Sequence, residues 1–304
     1  MNLTSKLTRA LTYPNLAFTV GGKILNRAYH TQFGRYGSNP NSDGNILDEQ
    51  WDNLILLDAC RYDYFDENAS DLPGELTKRI SAGSTTKEFI RATFSGRNET
   101  NLVYVTTNSW WGYLAEEINS TLHDFINLEN KDVQAYSVNV EPPDVVADIA
   151  IEVAKDYPNK RLFIHFNQPH YPYIGDTGRA VFPTDNRMSL TEDVVRAGAS
   201  PEEVRMAYEE NLRIALPHIQ RLVETLDGKT VVTADHGEML GESGRPFPVR
   251  DYGHSAGIYV NELVEVPWLE CPFETRKEII DGSDGARTID NDAVEDRLEK
   301  LGYI

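Results

Sequence analysis

The sequence predicts an α/β fold with a doubly wound, largely parallel sheet and helices on both faces. Two observations predict it: short apolar runs rich in β-branched residues recur along the chain, and segments with helical spacing lie between them. The chain has 304 residues, 40% of them hydrophobic, which is enough for a sizeable core. Because ligands of such sheets bind at the carboxyl ends of the strands, functional residues are expected there.

The candidate strands are short apolar runs, and several of them lead directly into polar or ionisable residues. In chain order they are 53–58 (NLILLD), 101–108 (NLVYVTTN), 133–138 (VQAYSV), 161–166 (RLFIHF) and 230–235 (TVVTAD). The first and last end in an aspartate, and the fourth is followed by NQPHYPY. Aspartate and histidine side chains are therefore expected to line one rim of the sheet.

Two long segments have the features of helices. Residues 143–157 place apolar side chains at helical spacing. Residues 200–228 open with Ser200, Pro201 and Glu203, which form a capping box with proline at the first helical position. This second helix is expected to bend at Pro217 and to end with Gly228 at the C′ position.

Charge divides the chain into two parts. Residues 1–42 contain five Lys or Arg and no acid, whereas the whole chain has 48 Asp plus Glu against 29 Lys plus Arg, a net charge of −19. We therefore expect a basic N-terminal arm and linker at 1–45 and an α/β domain at 46–304. The acidic balance argues against a nucleic-acid partner. Together with the excess of arginine over lysine, it favours a halophilic source.

The arm has two open interpretations. Its leucines and cations would suit a helix lying in an anionic membrane interface, and equally a segment that packs across the acidic domain. No apolar run approaches the roughly 18 residues of a spanning helix, and the N-terminus lacks the apolar region of a signal peptide. The expected location is cytoplasmic, with peripheral contact at the inner membrane face under the first interpretation.

The predicted rim collects five ionisable side chains: Asp58, Asp235, His236, His170 and His254. Carboxylates with an imidazole suit one divalent cation, such as Mn²⁺, Mg²⁺, Ca²⁺ or Zn²⁺. Each residue alone also has a plain structural interpretation, since an aspartate after a strand often caps a helix. The Asp235-His236-Gly237 triplet at the end of a β-branched strand makes the metal site the better explanation.

Several blocks in order along residues 50–304 resemble the sulfatase-like branch of the alkaline phosphatase superfamily. They are NLILLDACRYD, FNQPHYPY, VVTADHGEMLGE, YGHSAGIYVNELVEVPW and the C-terminal DRLEKLGYI. The resemblance implies that Asp58, Asp235 and His236 bind the metal. It also implies that His170 and His254 contact the ester or its leaving group.

The nucleophile departs from the sulfatase pattern, because the Cys-x-Pro-Ser-Arg motif is absent. In its place stands SAGSTTKEF (81–89), whose hydroxyls would lie at the N-terminus of a helix, a position that favours a phosphorylated group. Gly83-Ser84-x-Thr86 is similar to the Gly-Thr-x-Thr motif of phosphoethanolamine transferases, which favours Ser84. Thr86 stays open, and so does Thr85, which with Glu88 also forms a capping box.

The resemblance implies a metal-dependent hydrolase or transferase of phosphate or sulfate esters. The expected substrates are small molecules, glycans or lipid-linked sugars, attacked by a Ser or Thr hydroxyl. Only one metal is expected, because no Asp-x-x-x-His spacing occurs near NQPHYPYIGD. A true sulfatase without formylglycine and a non-catalytic metal- or anion-binding protein of the same fold are the alternatives. The sequence does not define the oligomeric state.

Overall fold

The computed structural model describes residues 14–31, 38–128, 142–182 and 189–282, and its central element is a seven-stranded sheet. The nine strands of the described chain are β1 (Asn53–Leu57), β2 (Glu75–Ile80), β3 (Asn98–Thr106), β4 (Thr121–Asn127), β5 (Arg161–Phe166), β6 (Thr230–Ala234), β7 (Met239–Ser243), β8 (Arg250–Gly253) and β9 (Glu265–Glu270). The sheet order is β2-β9-β6-β1-β5-β3-β4, and β7 pairs with β8 apart from it.

Nine α-helices accompany these strands in the same part of the chain. They are α1 (Pro14–His30), α2 (Tyr62–Asn68), α3 (Thr86–Phe94), α4 (Trp110–Leu114), α5 (Pro143–Asp156), α6 (Asp176–Val181), α7 (Leu190–Ala197), α8 (Pro201–Thr225) and α9 (Asn261–Val264). A short 3₁₀ helix spans Ile46–Asp48. Helices α5 and α8 confirm the two segments that the sequence predicts.

The sheet is largely parallel, as predicted. Strand β1 pairs in parallel with β5 and β6, and β3 pairs in parallel with β4 and β5. Strand β9 runs antiparallel to both of its neighbours, β6 and β2. The carboxyl ends of β1, β3, β5 and β6 therefore meet at one edge.

Both faces of the sheet are buried, and β1 shows why the sequence reads as a continuous apolar run. Ile55 and Leu57 face a cluster that contains the apolar side chains of α5 and α8. Leu54 and Leu56 face a second cluster on the other side, with side chains of α3 and α4. A strand covered on both faces needs apolar residues at every position, and β1 is fully buried along its length.

The structure also differs from the predicted elements. The sequence predicts none of the strands β2, β4, β7, β8 and β9, and the candidate strand at 133–138 lies outside the described residues. Helix α8 begins at the predicted capping box and contains Pro217, but it ends at Thr225 with Leu226 as the C-cap. Gly228, at φ +90°, therefore lies beyond the C′ position that the sequence predicts for it. The N–H of Lys229, the residue after Gly228, donates to the carboxylate of Asp52.

The described part of the N-terminal arm is α1, which packs against α7 and the β7–β8 pair. Lys23 forms an ion pair of 2.6 Å with Asp251 and a hydrogen bond of 2.9 Å to Thr191. Gly22 faces Val249 so closely that a Cβ atom would lie 2.5 Å from its side chain. The division of the chain near residue 45 stays a prediction.

Candidate functional site

The first group of site residues follows directly from strand register. Leu57 of β1 pairs with Ala234 of β6, so Asp58 and Asp235 are the next residues of two neighbouring parallel strands. Asp58, Asp235 and His236 are all almost fully buried, and one ligand atom from each lies within 4.8 Å of the others. The rim that the sequence predicts therefore brings these three side chains together.

Backbone geometry holds the two carboxylates in place. Ala59 has a left-handed backbone, with φ of 61°, and its N–H donates to Oδ1 of Asp235 at 3.1 Å. The N–H of His236 donates to the same oxygen at 2.9 Å. A left-handed conformation at a non-glycine residue costs about 1 kcal/mol or more, so this contact compensates a local strain.

Each carboxylate keeps one buried oxygen without a hydrogen-bond partner. Asn108 donates to Oδ2 of Asp58 at 3.1 Å, which leaves Oδ1 of Asp58 unsatisfied, and Oδ2 of Asp235 is also unsatisfied. Nε2 of His236 lies 3.6 Å from the first of these oxygens and 3.4 Å from the second. Buried carboxylate oxygens are costly without a partner, and a cation bound between them would supply one.

The tautomer of His236 suits metal binding. Its Nδ1 lies 2.8 Å from the carbonyl oxygen of Gly237, which only accepts, so Nδ1 carries the proton. Nε2 then presents its lone pair toward Asp58 and Asp235. A backbone carbonyl in this position orients the ring of metal-binding histidines in general.

The electrostatics of this group also favour a cation. Burial, and then the charge of Asp235, raise the pKa of Asp58 well above its ordinary value. Burial alone would raise the pKa of Asp235 as well, but His236 and His165 lower it below its ordinary value. Two buried like charges repel each other, and a divalent ion between them removes that repulsion.

Of the three candidate nucleophiles, the structure places the hydroxyl of Thr86 beside this group. Thr86 is the first residue of α3, and its Oγ1 lies 3.2 Å from Nε2 of His236. The side chain is buried, so the hydroxyl lies beside the imidazole and away from the solvent.

Ser84, which the sequence favours, has a different environment. Its hydroxyl lies 2.9 Å from Oε2 of Glu88 and 3.0 Å from the carbonyl oxygen of Ser255. Thr85 is the N-cap of α3, and its hydroxyl accepts the N–H of Glu88 at 3.2 Å. Ser84 therefore lies one residue before the N-cap, and its role as the nucleophile stays a prediction.

A second group of ligand-type residues lies next to the first. One ligand atom each from His170, Glu238 and His254 lies within 4.8 Å of the others. Nδ1 of His254 is 3.0 Å from Oε1 of the buried Glu238. Burial raises the pKa of Glu238 to about 7, and burial together with His170 lowers the pKa of His254 to about 3. The imidazole of His254 is therefore uncharged at neutral pH, and its hydrogen bond to Glu238 offers a path for a proton.

The two groups form one continuous site. The ring of His254 lies 4.3 Å from that of His236 and 5.2 Å from that of His170, measured between centroids. The N–H of His170 donates to the carbonyl oxygen of Asp58 at 3.1 Å, which ties the loop after β5 to the end of β1. All five rim residues predicted from the sequence thus lie in one place, and their roles stay proposals.

Sequence reasoning missed several residues of the site. Glu238 completes the second group, and Asn108, just beyond β3, holds Asp58. His165 on β5 contacts the hydroxyl of Tyr104 at 2.8 Å through Nδ1, and its Nε2 lies 3.9 Å from Asp235. Burial lowers the pKa of His165 to about 4. Two of them had a signal: Glu238 directly follows the Asp-His-Gly triplet, and Asn108 ends the candidate strand 101–108.

Arg61, in the block DACRYD that follows β1, binds protein groups. It is buried and pairs with Asp63 at 2.5 Å and with Glu242 at 2.7 Å. Its guanidinium also donates to the carbonyl oxygen of Glu238 at 3.3 Å. Arg61 therefore joins the start of α2 to the segment that carries Glu238.

The chain matches no family model and no curated protein, but it is similar to solved structures of two kinds. The first is the soluble domain of a lipooligosaccharide phosphoethanolamine transferase from Neisseria meningitidis (14% identity, TM-score 0.46, 77% of this chain and 79% of that one). The C-terminal periplasmic domain of EcEptC from Escherichia coli, in complex with Zn, is similar (15%, 0.46, 78% and 77%).

A sulfatase structure is the second kind. The 2-O GAG sulfatase BT1596 is 13% identical, with a TM-score of 0.43, over 72% of this chain and 63% of that one. The sequence motifs described above also resemble those of phosphoethanolamine transferases and sulfatases. These similarities assign no role to any residue of this chain.

Proposed function

We propose that the protein is a metal-dependent enzyme that hydrolyses or transfers phosphate esters, with Thr86 as the nucleophile. One observation carries the proposal. The buried hydroxyl of Thr86 faces Nε2 of His236, and two unsatisfied carboxylate oxygens surround that nitrogen. Thr86 does not cap the helix, and its hydroxyl lies beside residues of the kind that bind a cation. An activated nucleophile needs this arrangement.

The metal ligands would be Asp58, Asp235 and His236. Two carboxylates and one imidazole suit Mn²⁺ or Zn²⁺, and Mg²⁺ and Ca²⁺ less well because of the nitrogen ligand. A divalent ion in this position would lower the pKa of the Thr86 hydroxyl and neutralise charge on the transferring group. The second group of residues, His170, Glu238 and His254, is left to contact the ester.

The reaction would proceed in two steps. In the first, Oγ1 of Thr86 forms a bond to phosphorus while the bond to the leaving alcohol breaks, and Asp235 takes the hydroxyl proton. His254 gives a proton to the oxygen of the leaving alcohol, and Glu238 supplies it through their shared hydrogen bond. In the second step, water or an acceptor alcohol attacks phosphorus and gives its proton to His254 and Glu238, while the bond from phosphorus to Oγ1 breaks and Asp235 returns its proton to Thr86.

A threonine nucleophile favours phosphate over sulfate. Formylglycine releases sulfate through its hydrate, a route that a plain hydroxyl lacks, whereas a phosphothreonine is resolved by water or by an acceptor. The substrate class that the sequence resemblance suggests is a glycan or a lipid-linked sugar. Sulfate esters and a non-catalytic anion-binding role are the alternatives that the test below separates.

The test compares p-nitrophenyl esters of phosphate, phosphodiester and sulfate, with added Mn²⁺ or Zn²⁺ and with chelator. We expect metal-dependent release from a phosphate ester, lost in Thr86→Ala and kept in Ser84→Ala at a lower rate. Mass spectrometry of the quenched enzyme should find phosphate on the peptide that contains Thr86. Turnover of the sulfate ester only would establish a sulfatase. Metal binding without turnover or phosphopeptide would establish a binding protein.

A further inference from the structure

The outer face of α1 is apolar although it faces solvent. Between Ala17 and Tyr29, every exposed residue of this helix is apolar or aromatic. Phe18, Ile24, Leu25 and Tyr29 are 72%, 62%, 51% and 63% exposed, and Val20 is 37% exposed. Side chains of this size are common singly at a surface, but a continuous face of them indicates an interaction site.

Specific contacts on the inner face of the same helix fix its orientation. Leu16, Gly22 and Asn26 are buried against the domain, and Asn26 exchanges hydrogen bonds of 2.9 and 2.8 Å with the backbone of Phe247. Lys23 pairs with Asp251 at 2.6 Å. The apolar face therefore cannot turn inward without breaking these contacts.

The surroundings of this face are basic on a strongly acidic protein. Helix α1 contains Lys23 and Arg27 and no acid. The loop that joins β7 to β8, held to α1 through Asn26, exposes Arg245, Phe247 and Pro248. Lys23 is paired with Asp251 on the inner side of α1, and the acids Glu242 and Glu262 border the depression beside Tyr29 and His30. Aromatic and aliphatic side chains flanked by cations are the composition of helices that lie in the interface of anionic bilayers.

We propose that the outer face of α1, with the tip of the β7–β8 loop, binds the surface of an anionic lipid membrane. The helix would lie in the plane of the bilayer, with Phe18, Ile24 and Leu25 below the headgroups and Arg245 among the phosphates. Within residues 14–31, 38–128, 142–182 and 189–282, no helix is long and apolar enough to cross the bilayer. This surface is independent of the chemistry proposed for the site.

A second copy of the chain fits this face less well. A symmetric pair would bring identical patches together, so the cations of α1 and of the β7–β8 loop would face their own copies. An anionic lipid surface offers opposite charge to the same groups. High salt screens the charge attraction, so at high salt the apolar residues carry most of the binding.

The experiment is co-sedimentation of the full chain with vesicles of phosphatidylcholine alone or mixed with phosphatidylglycerol, at low and high NaCl. The test variant is Phe18→Gln/Ile24→Gln/Leu25→Gln, because glutamine keeps helix propensity. The matched control is Tyr113→Gln/Met206→Gln/Phe273→Gln, which removes three exposed apolar side chains elsewhere, at 74%, 57% and 46% exposure. Point variants are preferable to removal of α1, which would unpair Asp251 and uncover Val249.

We expect the wild type and the control to pellet with phosphatidylglycerol vesicles, and the α1 variant to partition at least about tenfold less. Arg245→Glu should weaken binding at low salt only. Far-UV circular dichroism and thermal melts establish that each variant is folded. Equal pelleting of the α1 variant and the control would overturn the proposal. So would a wild-type dimer that the α1 variant alone converts to a monomer, with no vesicle binding by either.

Discussion

Oγ1 of Thr86 lies 3.2 Å from Nε2 of His236, in a buried space that Asp58 and Asp235 also border. Two residues earlier in the chain, the Ser84 hydroxyl points instead to Glu88 and Ser255. The start of α3 at Thr86 thus separates three consecutive hydroxyls into three roles: one beside the ligand set, one helix cap and one link between loops.

The separation of these hydroxyls predicts three different mutant phenotypes. Thr86→Ala should abolish ester turnover, whereas Thr86→Ser, which keeps the hydroxyl, should retain measurable activity. Thr85→Ala should mainly cost about 1 kcal/mol of stability, the usual value of a helix N-cap. Ser84→Ala should cost about 1 kcal/mol through the lost hydrogen bonds to Glu88 and Ser255.

Steady-state kinetics and urea melts of the four proteins measure these effects. Binding of the metal, followed by its stoichiometry, serves as the control that Thr86→Ala keeps an intact ligand set. Full activity in Thr86→Ala together with an inactive, folded Ser84→Ala would move the nucleophile to Ser84.

The unsatisfied oxygens of Asp58 and Asp235 predict that the wild type and Asp58→Asn exchange their order of stability when metal is added. In chelator, Asp58→Asn should melt at or above the wild-type temperature, because it removes one of two buried like charges and keeps the shape. With metal at a hundred times its Kd, the wild type should gain about 2.7 kcal/mol, and Asp58→Asn should gain far less.

Differential scanning fluorimetry with and without Mn²⁺ or Zn²⁺ reports this reversal. Asp66→Asn, on the exposed surface of α2, is the matched control and should gain as much as the wild type. Asp235→Ala should abolish metal binding in elemental analysis. An unchanged metal content in Asp235→Ala would remove Asp235 from the ligand set.

The Glu238–His254 pair predicts a loss of rate without a loss of metal. His254→Ala should lower kcat far more than it lowers metal affinity, because the residue would deliver a proton to the leaving alcohol. Glu238→Gln should have the same kind of effect, since glutamine preserves a hydrogen bond but cannot act as an acid or a base.

Kinetics on esters with good and poor leaving groups provide a direct readout. The loss in His254→Ala should shrink for a leaving group that needs no proton, such as p-nitrophenol. His218→Ala, a partly exposed histidine on α8, is the control and should change neither quantity. If His254→Ala releases the metal as completely as Asp235→Ala does, the second group binds metal and the single-ion expectation is wrong.

Arg61 predicts a stability effect of its own. Arg61→Met should destabilise the protein by about 3 kcal/mol, because it leaves the partly buried Glu242 with only the more distant Arg205, at 4.0 Å. The double variant Arg61→Met/Glu242→Gln should recover part of that loss, since neither partner is then an unpaired charge.

Urea denaturation of both variants and of Lys155→Met measures the difference. Lys155 pairs with Glu152 on the exposed side of α5, and its loss should cost at most about 0.5 kcal/mol. A double variant less stable than Arg61→Met would mean that Glu242 stabilises the fold through contacts other than Arg61.

The sequence predicts the central parallel strands because both of their faces are buried. In β1 and β6, every residue is buried, so the apolar run is unbroken and the aspartate after it marks the end. The other strands carry weaker signals. Strand β2 is mostly exposed and polar, and β9 contains Pro267, which argues against a strand in sequence reasoning.

The site is predictable only where one strand end carries the information. Asp58, Asp235 and His236 follow from strand ends and parallel register, and the structure brings them together. The choice between Ser84 and Thr86 depends on where α3 begins, which three consecutive hydroxyl residues leave undefined. Glu238 hydrogen-bonds to His254, which lies 16 positions later in the chain, and no local sequence pattern specifies that contact.

The segment from Asp235 to Glu238 contributes to both groups of the site, with only Gly237 between His236 and Glu238. A Cβ at Gly237 would lie 2.2 Å from the carbonyl oxygen of Glu262, so the spacer tolerates no larger residue. A substitution at this one glycine would therefore disturb both groups at once. The side of the site formed by His170 and His254 lies on other segments, so point mutations there can change it without altering the ligand set.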